Sequence, residues 1–202
     1  MRSKGRLIVF SAPSGCGKGT MLDEILKDEH FYRSVSATTR APRPGEAEGV
    51  NYYYISKESF EKKAEAGEFL EHAEYCGNRY GTLLSEVDGH LEQGLDVILE
   101  IEVQGAMKIR EKRQDAVFIF IAPPSVGELR RRLNKRGTED EETIEKRVSE
   151  AAGEIAQAEK YDYVIVNDAL EDAVRDFFAV IRAEKLKAKF SGELINEVLK
   201  NA

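Results

Sequence analysis

Residues 7–21 read LIVFSAPSGCGKGTM, a short apolar run followed by a glycine-rich turn and then by the start of a helix. The apolar run at 7–10 is of the kind found in strands that are covered on both faces of a parallel sheet. Pro13 and the glycines at 15, 17 and 19 allow a tight backbone path, so that successive N–H groups can face phosphate oxygens. The stretch therefore predicts a phosphate-binding loop with Lys18 as its cation.

The loop matches the phosphate-loop pattern G-x-x-x-x-G-K-[ST] only in part, because Ala12 and Gly19 replace the first glycine and the final hydroxyl residue. Without a hydroxyl at 19, Mg²⁺ would be held by Thr20 or through bound water. An ordinary strand-to-helix turn is the alternative. The spacing of the glycines, the proline and the lysine argues against it.

Size and composition indicate a globular protein of one domain, with room for insertions. Hydrophobic residues make up 42% and charged residues 33% of the 202 residues, and no apolar stretch approaches the roughly 18 residues of a membrane span. The short basic start does not favour a signal peptide, so we expect a cytoplasmic protein. A net charge of −7 argues against general nucleic-acid binding, which leaves local arginine clusters to meet any polyanion.

The two cysteines, Cys16 and Cys76, provide no disulfide framework, and the three scattered histidines have no zinc-binding spacing. Cys16 lies inside the predicted loop. Local positive potential there would lower its thiol pKa, whereas the plainer interpretation is a small loop residue. Neither interpretation assigns Cys16 a chemical role of its own.

Alternating strands and helices predict βαβ units and a parallel sheet flanked by helices. Spacing and turn signals predict strands at 7–10, 31–39, 51–56, 69–75, 97–101, 117–122 and 163–166, and helices at 20–28, 60–66, 83–93, from 125, 170–189 and after 192. The middle of the chain predicts a small α+β insert. We see no internal repeat or flexible linker.

The insert carries polar groups near predicted strand ends and turns. Arg40 and Arg43 lie three residues apart in a proline-bounded loop, where they could hold a phosphate monoester together with the Tyr52 and Tyr80 hydroxyls. Taken alone, such a pair of arginines is more typical of a solvated surface. Glu71, taken alone, is likewise more typical of the solvent-facing side of a strand.

In this order, motifs along nearly the whole chain resemble guanylate kinase: SAPSGCGKGT, SVSATTRAPRPGE, NYYYIS, EFLEHAEYCGNRYGT, LEIEVQG, IAPPS, LRRRLNKRGTE and VIVND. The arginine motif TTRAPR and the turn GNRYGT are more specific than the phosphate loop. The resemblance implies an α/β P-loop kinase core, residues 1–34 and 84–202, with a helical lid at about 136–150. It also implies a GMP-binding insert at 35–83.

The resemblance further implies transfer of the γ-phosphoryl group of ATP to GMP, with Mg²⁺ as cofactor, dGMP as a possible substrate, and a monomer or homodimer. It implies catalytic roles for Lys18, Arg43, Arg136 and Arg147. ATP would contact Ala12, Pro13, Ser14, Gly15, Cys16, Gly17, Lys18, Gly19, Thr20, Arg132 and Asn167, the last of these near adenine. GMP would contact Ser36, Arg40, Arg43, Tyr52, Glu71, Tyr80 and Thr82.

The family usually has aspartate where this chain has Glu102, so a longer acid would act with Thr20 on the water shell of Mg²⁺, with Glu100 beside it. Phosphoryl transfer asks for alignment and charge neutralisation rather than a protein nucleophile, so closure of the insert and the lid should exclude water. Two rivals are a non-catalytic guanylate-kinase-like module that binds phosphorylated peptides, and another nucleoside monophosphate kinase such as adenylate kinase. Lys18 argues against the first, and the arginine and GNRYGT motifs argue against the second.

Overall fold

The computed structural model describes residues 4–136 and 140–200, apart from the side chains at positions 136, 193 and 194. In chain order its strands are β1 (Leu7–Ser11), β2 (Phe31–Arg33), β3 (Ala37–Thr38), β4 (Tyr53–Tyr54), β5 (Phe69–Tyr75), β6 (Asn78–Leu83), β7 (Asp96–Glu100), β8 (Val117–Ala122) and β9 (Tyr163–Val166). Its helices are α1 (Lys18–Ile25), α2 (Lys57–Glu65), α3 (Leu84–Glu92), α4 (Val103–Lys112), α5 (Val126–Arg136), α6 (Glu141–Ile155), α7 (Leu170–Lys185) and α8 (Gly192–Lys200).

The larger sheet has the strand order β2-β7-β1-β8-β9, and all its neighbouring strands are parallel. Alternate side chains of a strand point to opposite faces, and both faces of this sheet are covered. Leu7 and Val9 pack towards α3 and α4, whereas Ile8 and Phe10 pack towards α1 and α7. This two-sided burial explains why residues 7–10 of the first strand are all apolar, and it confirms the predicted parallel sheet flanked by helices.

The smaller sheet has the order β4-β3-β6-β5 and takes all its strands from residues 37–83. β5 and β6 form an antiparallel pair, interrupted by a register shift between Phe69 and Glu71. Phe60 of α2 stacks on Phe69 of β5, with ring centroids 4.4 Å apart, so the helix covers one face of this sheet.

The structure corrects the prediction of a single strand at 31–39. β2 belongs to the larger sheet and β3 to the smaller one, because the chain changes sheets in the intervening residues 34–36. The Ser34 N–H still donates to Ile98 of β7, whereas the Ser36 carbonyl already accepts from the Tyr53 N–H of β4. Alternation along a sequence reports an extended backbone but not its partner, so it could not reveal this change.

Other boundaries also differ from the sequence-based expectation. α2 begins at Lys57 because the Ser56 hydroxyl accepts from the Ser59 N–H and caps the helix. The run at 51–56 contributes only β4, and α7 ends at Lys185 rather than at 189. The sequence analysis assigned neither α4 nor β6, although β6 completes the smaller sheet.

Candidate active site

The predicted loop connects β1 to α1, and its backbone conformation requires glycine at two positions. Gly15 has φ 90° and Gly17 has φ 78°, both in the left-handed region that other residues seldom adopt. A Cβ atom at Gly15 would lie 2.8 Å from Leu133 Cδ2, and one at Gly17 would lie 2.7 Å from Asn167 Nδ2. The loop is therefore packed closely beneath α5 and the end of β9, at the N-terminus of α1.

A cleft of about 490 Å³ opens beside this loop. Five of the residues predicted to contact ATP line it, namely Gly15, Gly17, Thr20, Arg132 and Asn167. Lys135, Asp168 and Leu170 also line it, and the sequence analysis did not single them out. Two of them lie inside motifs quoted above, Lys135 in LRRRLNKRGTE and Asp168 in VIVND.

Cys16 turns its side chain away from this cleft and into a small apolar core. The thiol is fully buried among Leu129 and Leu133 of α5 and Ile144 and Val148 of α6. Burial raises its pKa to about 12, against the weaker opposing effects of nearby Arg132 and Lys18. The interpretation of a lowered thiol pKa is therefore wrong, and Cys16 fastens the loop to the two helices above it.

Lys18 lies at the first position of α1, with its Nζ atom 3.5 Å from Glu100 Oε1 at the end of β7. The other carboxylate oxygen, Glu100 Oε2, lies 3.8 Å from Arg33 at the end of β2. The loop is also contacted from α6, because the Arg147 guanidinium donates to the Ser14 hydroxyl. The side chain of Arg136, the other predicted lid arginine, lies outside the described part of the chain.

A second, polar cavity of about 200 Å³ lies between the two sheets and reaches Glu100. Ser36 and Tyr52, both predicted to contact GMP, line it together with Arg33, Ser34, Val35, Val50, Asn51 and Glu100. Sequence reasoning missed Arg33 because it stands alone, before the arginine motif. Its position at the end of β2, beside β7, is visible only once the strands are paired.

Arg40 is held near two of the predicted tyrosines. Its guanidinium carbon lies 5.4 Å from the centre of the Tyr52 ring, and the Tyr52 and Tyr80 rings are 5.8 Å apart. Arg40 also donates to Glu46 Oε1 at 2.9 Å, while Glu46 Oε2 accepts from the Arg43 N–H and the Tyr54 hydroxyl.

Glu46 thus organises the arginine loop, and the sequence analysis did not identify it. The hydrogen bond from Arg40, followed by the one from the Arg43 N–H, lowers the pKa of Glu46 to about 2. Glu46 therefore stays ionised near neutral pH. Its place just after the proline-bounded arginines was the signal that could have found it.

Glu71 and Thr82 face each other across β5 and β6, and the Thr82 hydroxyl donates to Glu71 Oε1 at 3.0 Å. Only 8% of Glu71 is exposed, so the solvent-facing interpretation of this residue is wrong. Burial raises the pKa of its carboxyl group, and the Thr82 hydrogen bond and the charge of Lys108 act against that shift. A buried carboxylate whose hydrogen bonds come from the neutral groups of Thr82 can accept further hydrogen bonds from a ligand.

The two residues predicted to contact Mg²⁺, Thr20 and Glu102, do not belong to a preformed group of metal ligands in the described part of the chain. Thr20 lines the larger cleft, and Glu102 is exposed at the start of α4. Across the described residues, no three His, Cys, Asp or Glu side chains are grouped so as to hold a metal ion. Mg²⁺ is commonly bound by one or two carboxylates together with water and substrate phosphates, and this sparse set of oxygen donors fits that mode.

None of the helices in the described part of the chain has the length and apolar character that a membrane span requires.

Three features define a kinase of the P-loop class: the parallel sheet, the glycine loop between its central strand and α1, and the lysine that begins that helix. A sequence model of the family described as guanylate kinase matches residues 4–184. The chain belongs to the guanylate kinase family, whose members phosphorylate GMP with ATP.

Individual relatives agree with this assignment. The guanylate kinase of Latilactobacillus sakei subsp. sakei is 52% identical over 189 residues, which cover 93% of each chain. That of Thermus thermophilus is 46% identical over 197 residues, or 98% of this chain and 90% of the relative. The crystal structure of guanylate kinase from Anaplasma phagocytophilum superposes with a TM-score of 0.71 at 40% identity, covering 93% of this chain and 89% of that one.

Proposed function

We propose that the larger cleft takes ATP, that the smaller cavity takes GMP, and that the γ-phosphoryl group passes between them beside Lys18. The observation that carries this proposal is the position of Glu100. It lies 3.5 Å from the loop lysine and also lines the smaller cavity, so one carboxylate adjoins both the phosphate loop and that cavity. When nucleotides are bound in these two sites, their phosphate groups would face each other beside Lys18.

On the ATP side, the loop from Ala12 to Thr20 would bind the phosphates with its N–H groups. Lys18 would leave its ion pair with Glu100 and contact phosphate oxygens instead. Arg132 supports this role for the cleft, because its guanidinium lines the cleft and donates to the carbonyl of Asn167. Mg²⁺ bound to ATP would neutralise phosphate charge, with Thr20 and Glu102 as its contacts through water.

On the GMP side, Arg40, Arg43, Tyr52 and Tyr80 would hold the phosphate monoester. The shared acceptor Glu46 supports this role, because it orients the Arg40 guanidinium and fixes the backbone at Arg43 before any ligand arrives. Arg43 keeps an exposed side chain that could turn to the phosphate.

Glu71, Thr82 and Ser36 would read the guanine base. Guanine presents N1–H and N2–H₂ donors along one edge, and a carboxylate can accept from both. The burial of Glu71 supports this role, because a buried acceptor makes a hydrogen bond that water does not replace. The same site would accept dGMP, since none of these contacts requires the 2′-hydroxyl.

Phosphoryl transfer would then proceed in line, with a GMP phosphate oxygen as the nucleophile. Lys18, Arg43 and Arg147 would stabilise the charge that spreads over the equatorial oxygens. The contact between Arg147 and Ser14 supports its role, because it brings α6 to the loop. Arg136 is proposed for the same task on the sequence resemblance alone.

Three parts of the chain are proposed to close on the two nucleotides. They are a core at 1–34 and 84–202, a lid within it at about 136–150, and a GMP-binding insert at 35–83. The strands of the smaller sheet support this division, because they all fall inside the proposed insert. A cytoplasmic location, a monomeric or dimeric state and the absence of nucleic-acid partners remain predictions.

The proposal is tested by following ADP formation with ATP, Mg²⁺ and either GMP, dGMP or AMP as acceptor. We expect rapid turnover with GMP, slower or equal turnover with dGMP, and little with AMP. In Lys18→Met, turnover with GMP should fall about a hundredfold to a thousandfold, because a charge placed at developing negative charge is worth about 3 to 4 kcal/mol.

Lys27→Met is the matched control, because Lys27 is exposed beyond the end of α1 and, within the described residues, forms an ion pair with Glu24 of the same segment. It should keep the activity of the unmodified protein. Lys18→Met activity within tenfold of that protein would remove Lys18 from the catalytic set, and faster turnover with AMP than with GMP would overturn the proposed acceptor.

A further inference from the structure

Asn167 follows β9 and is bound to the phosphate loop through its side chain. Its Nδ2 atom donates to the Cys16 carbonyl at 2.8 Å, across 151 positions of sequence. The residue is only 5% exposed, and its own N–H donates to the Ala122 carbonyl at the end of β8. The backbone of Asn167 is therefore fixed by the sheet, and its side-chain amide holds the loop.

Arg132 of α5 contacts the same residue from above. Its guanidinium donates to the Asn167 carbonyl at 2.8 Å, and a second bond from the guanidinium goes to Glu128 of the same helix. Gly17 packs against the amide so closely that a Cβ atom there would lie 2.7 Å from Nδ2. The loop, the end of β9 and α5 thus meet at this one asparagine.

The bond to Cys16 has a geometrical consequence for the next residue. The Cys16 carbonyl and the Gly17 N–H belong to one planar trans peptide unit, in which the C=O and N–H bonds point in opposite directions. When the carbonyl is held towards Asn167, the Gly17 N–H must point away from Asn167. A carbonyl free to rotate could instead present its negative end to a phosphate.

We propose that Asn167 is a positioning residue, which orients the Gly17 N–H for phosphate binding by fixing the Cys16 carbonyl, rather than a residue that selects adenine. The inference rests on the proposed function in one respect, namely that the loop binds the phosphates of ATP. The effect of Asn167 is then exerted on the triphosphate of the nucleotide, whatever base it carries.

The test compares ATP with inorganic tripolyphosphate, which has the phosphates but no base, in calorimetric titrations of Asn167→Ala. Loss of loop positioning should weaken both ligands by the same factor, about tenfold for one lost hydrogen bond of about 1.4 kcal/mol. Affinity for GMP should not change. A loss confined to ATP, with unchanged tripolyphosphate affinity, would overturn the proposal and make Asn167 a base-selecting residue.

Asn134→Ala is the matched control, because it makes the same substitution at an exposed position of α5. It should leave both affinities unchanged. If Asn167→Ala does not fold, Asn167→Asp keeps the side-chain size but sets a carboxylate oxygen against the Cys16 carbonyl. That variant should weaken tripolyphosphate at least as strongly, and unaltered tripolyphosphate affinity in it would contradict the proposal.

A measurement without nucleotide separates this inference from the proposed function. In the free protein, the NMR order parameter of the Gly17 amide should fall from about 0.85 towards about 0.6 in Asn167→Ala, but not in Asn134→Ala. An unchanged order parameter would overturn the positioning role. Failure of the unmodified protein to bind ATP or tripolyphosphate would overturn the proposed function instead, with the order parameter still deciding the role of Asn167.

Discussion

Glu71 shows how the surroundings of one residue change its chemistry. In the sequence it stands in an alternating strand, where a glutamate usually faces water. In the fold it is buried at the β5–β6 pair, beside the Thr82 hydroxyl, and desolvation raises the pKa of its carboxyl group. A carboxylate kept in such a place is costly for stability, which is the usual sign of a group retained for binding.

Replacement of this carboxylate should remove the preference for guanine. Adenine has an unprotonated N1 acceptor that would face the Glu71 carboxylate unfavourably, and sites built on such hydrogen bonds discriminate by about 10⁴ or more. We expect Glu71→Gln to lower kcat/KM for GMP by at least about a hundredfold, with AMP unchanged or improved. Steady-state kinetics with both acceptors measure this, and a variant that retains its full preference for GMP would place the guanine-reading group elsewhere.

The raised pKa of Glu71 also predicts a pH dependence. The proposed contact with guanine needs the ionised carboxylate, so kcat/KM for GMP should fall on acidification, starting at a higher pH than for a carboxyl group of ordinary pKa. Glu71→Gln is the control, because it retains the titration of the GMP phosphate and lacks that of residue 71. Superimposable pH profiles for the two proteins would contradict this role.

The raised pKa of Glu71 affects folding stability in the opposite direction: as pH rises, activity with GMP should increase whereas the contribution of Glu71 to stability should decrease. A carboxyl group whose pKa is raised on folding holds its proton more tightly in the folded state, so its contribution to stability declines as pH rises from the ordinary pKa through the raised one. Above that window the ionised Glu71 destabilises the free protein. The unfolding temperature of Glu71→Gln at neutral pH should therefore be equal to or higher than that of the unmodified protein.

At the scale of elements, the packing of α5 and α6 on the loop depends on Cys16. Its thiol is enclosed by apolar side chains of both helices, so a hydroxyl in its place would be buried without an obvious partner. We expect Cys16→Ser to lower the free energy of unfolding by about 1 to 3 kcal/mol, as measured by urea denaturation.

Cys76→Ser provides the matched control, because Cys76 is exposed at the turn between β5 and β6. Its effect should stay within about 0.5 kcal/mol. Equal effects of the two substitutions would mean that the Cys16 side chain does not join the loop to α5 and α6.

At the scale of the whole molecule, two sheets built from different parts of the chain converge on the ends of β1 and β7. Lys18 lies on one side of Glu100, and the lining of the smaller cavity lies on the other. Glu102, two residues further on, directly precedes α4 and remains exposed near this junction. In the proposed function, this acid would act on Mg²⁺ through the water that the metal carries once ATP is bound.

Glu102→Gln should therefore raise the Mg²⁺ concentration needed for half-maximal activity more than it raises KM for GMP, because a neutral amide holds metal-bound water less strongly. Titration of activity with Mg²⁺ at saturating ATP measures this. Glu92→Gln, at the exposed end of α3, is the control and should not change the Mg²⁺ requirement. The same Mg²⁺ dependence in Glu102→Gln and the unmodified protein would leave Glu102 with no role beyond preceding α4.

The sequence by itself determined the features that arise from neighbouring residues. The unbroken apolar runs at β1 and β8 predicted a parallel sheet covered on both faces, and the glycine spacing predicted a phosphate loop, because local sterics and burial leave a periodic signal. The bounds of β5, β8 and β9 followed from the same signal. The motifs also led to the correct family.

Only the tertiary structure decided which distant groups meet. Four features depend on residues far apart in the chain: the burial of Cys16, the bond from Asn167 to the Cys16 carbonyl, the place of Arg33 beside Glu100, and the change of sheets after β2. Even the link from Arg40 to Glu46 required the loop to fold back on itself. Spacing along a chain reports which face a residue takes, whereas its partners are chosen by strand order and helix packing, which leave no period in the sequence.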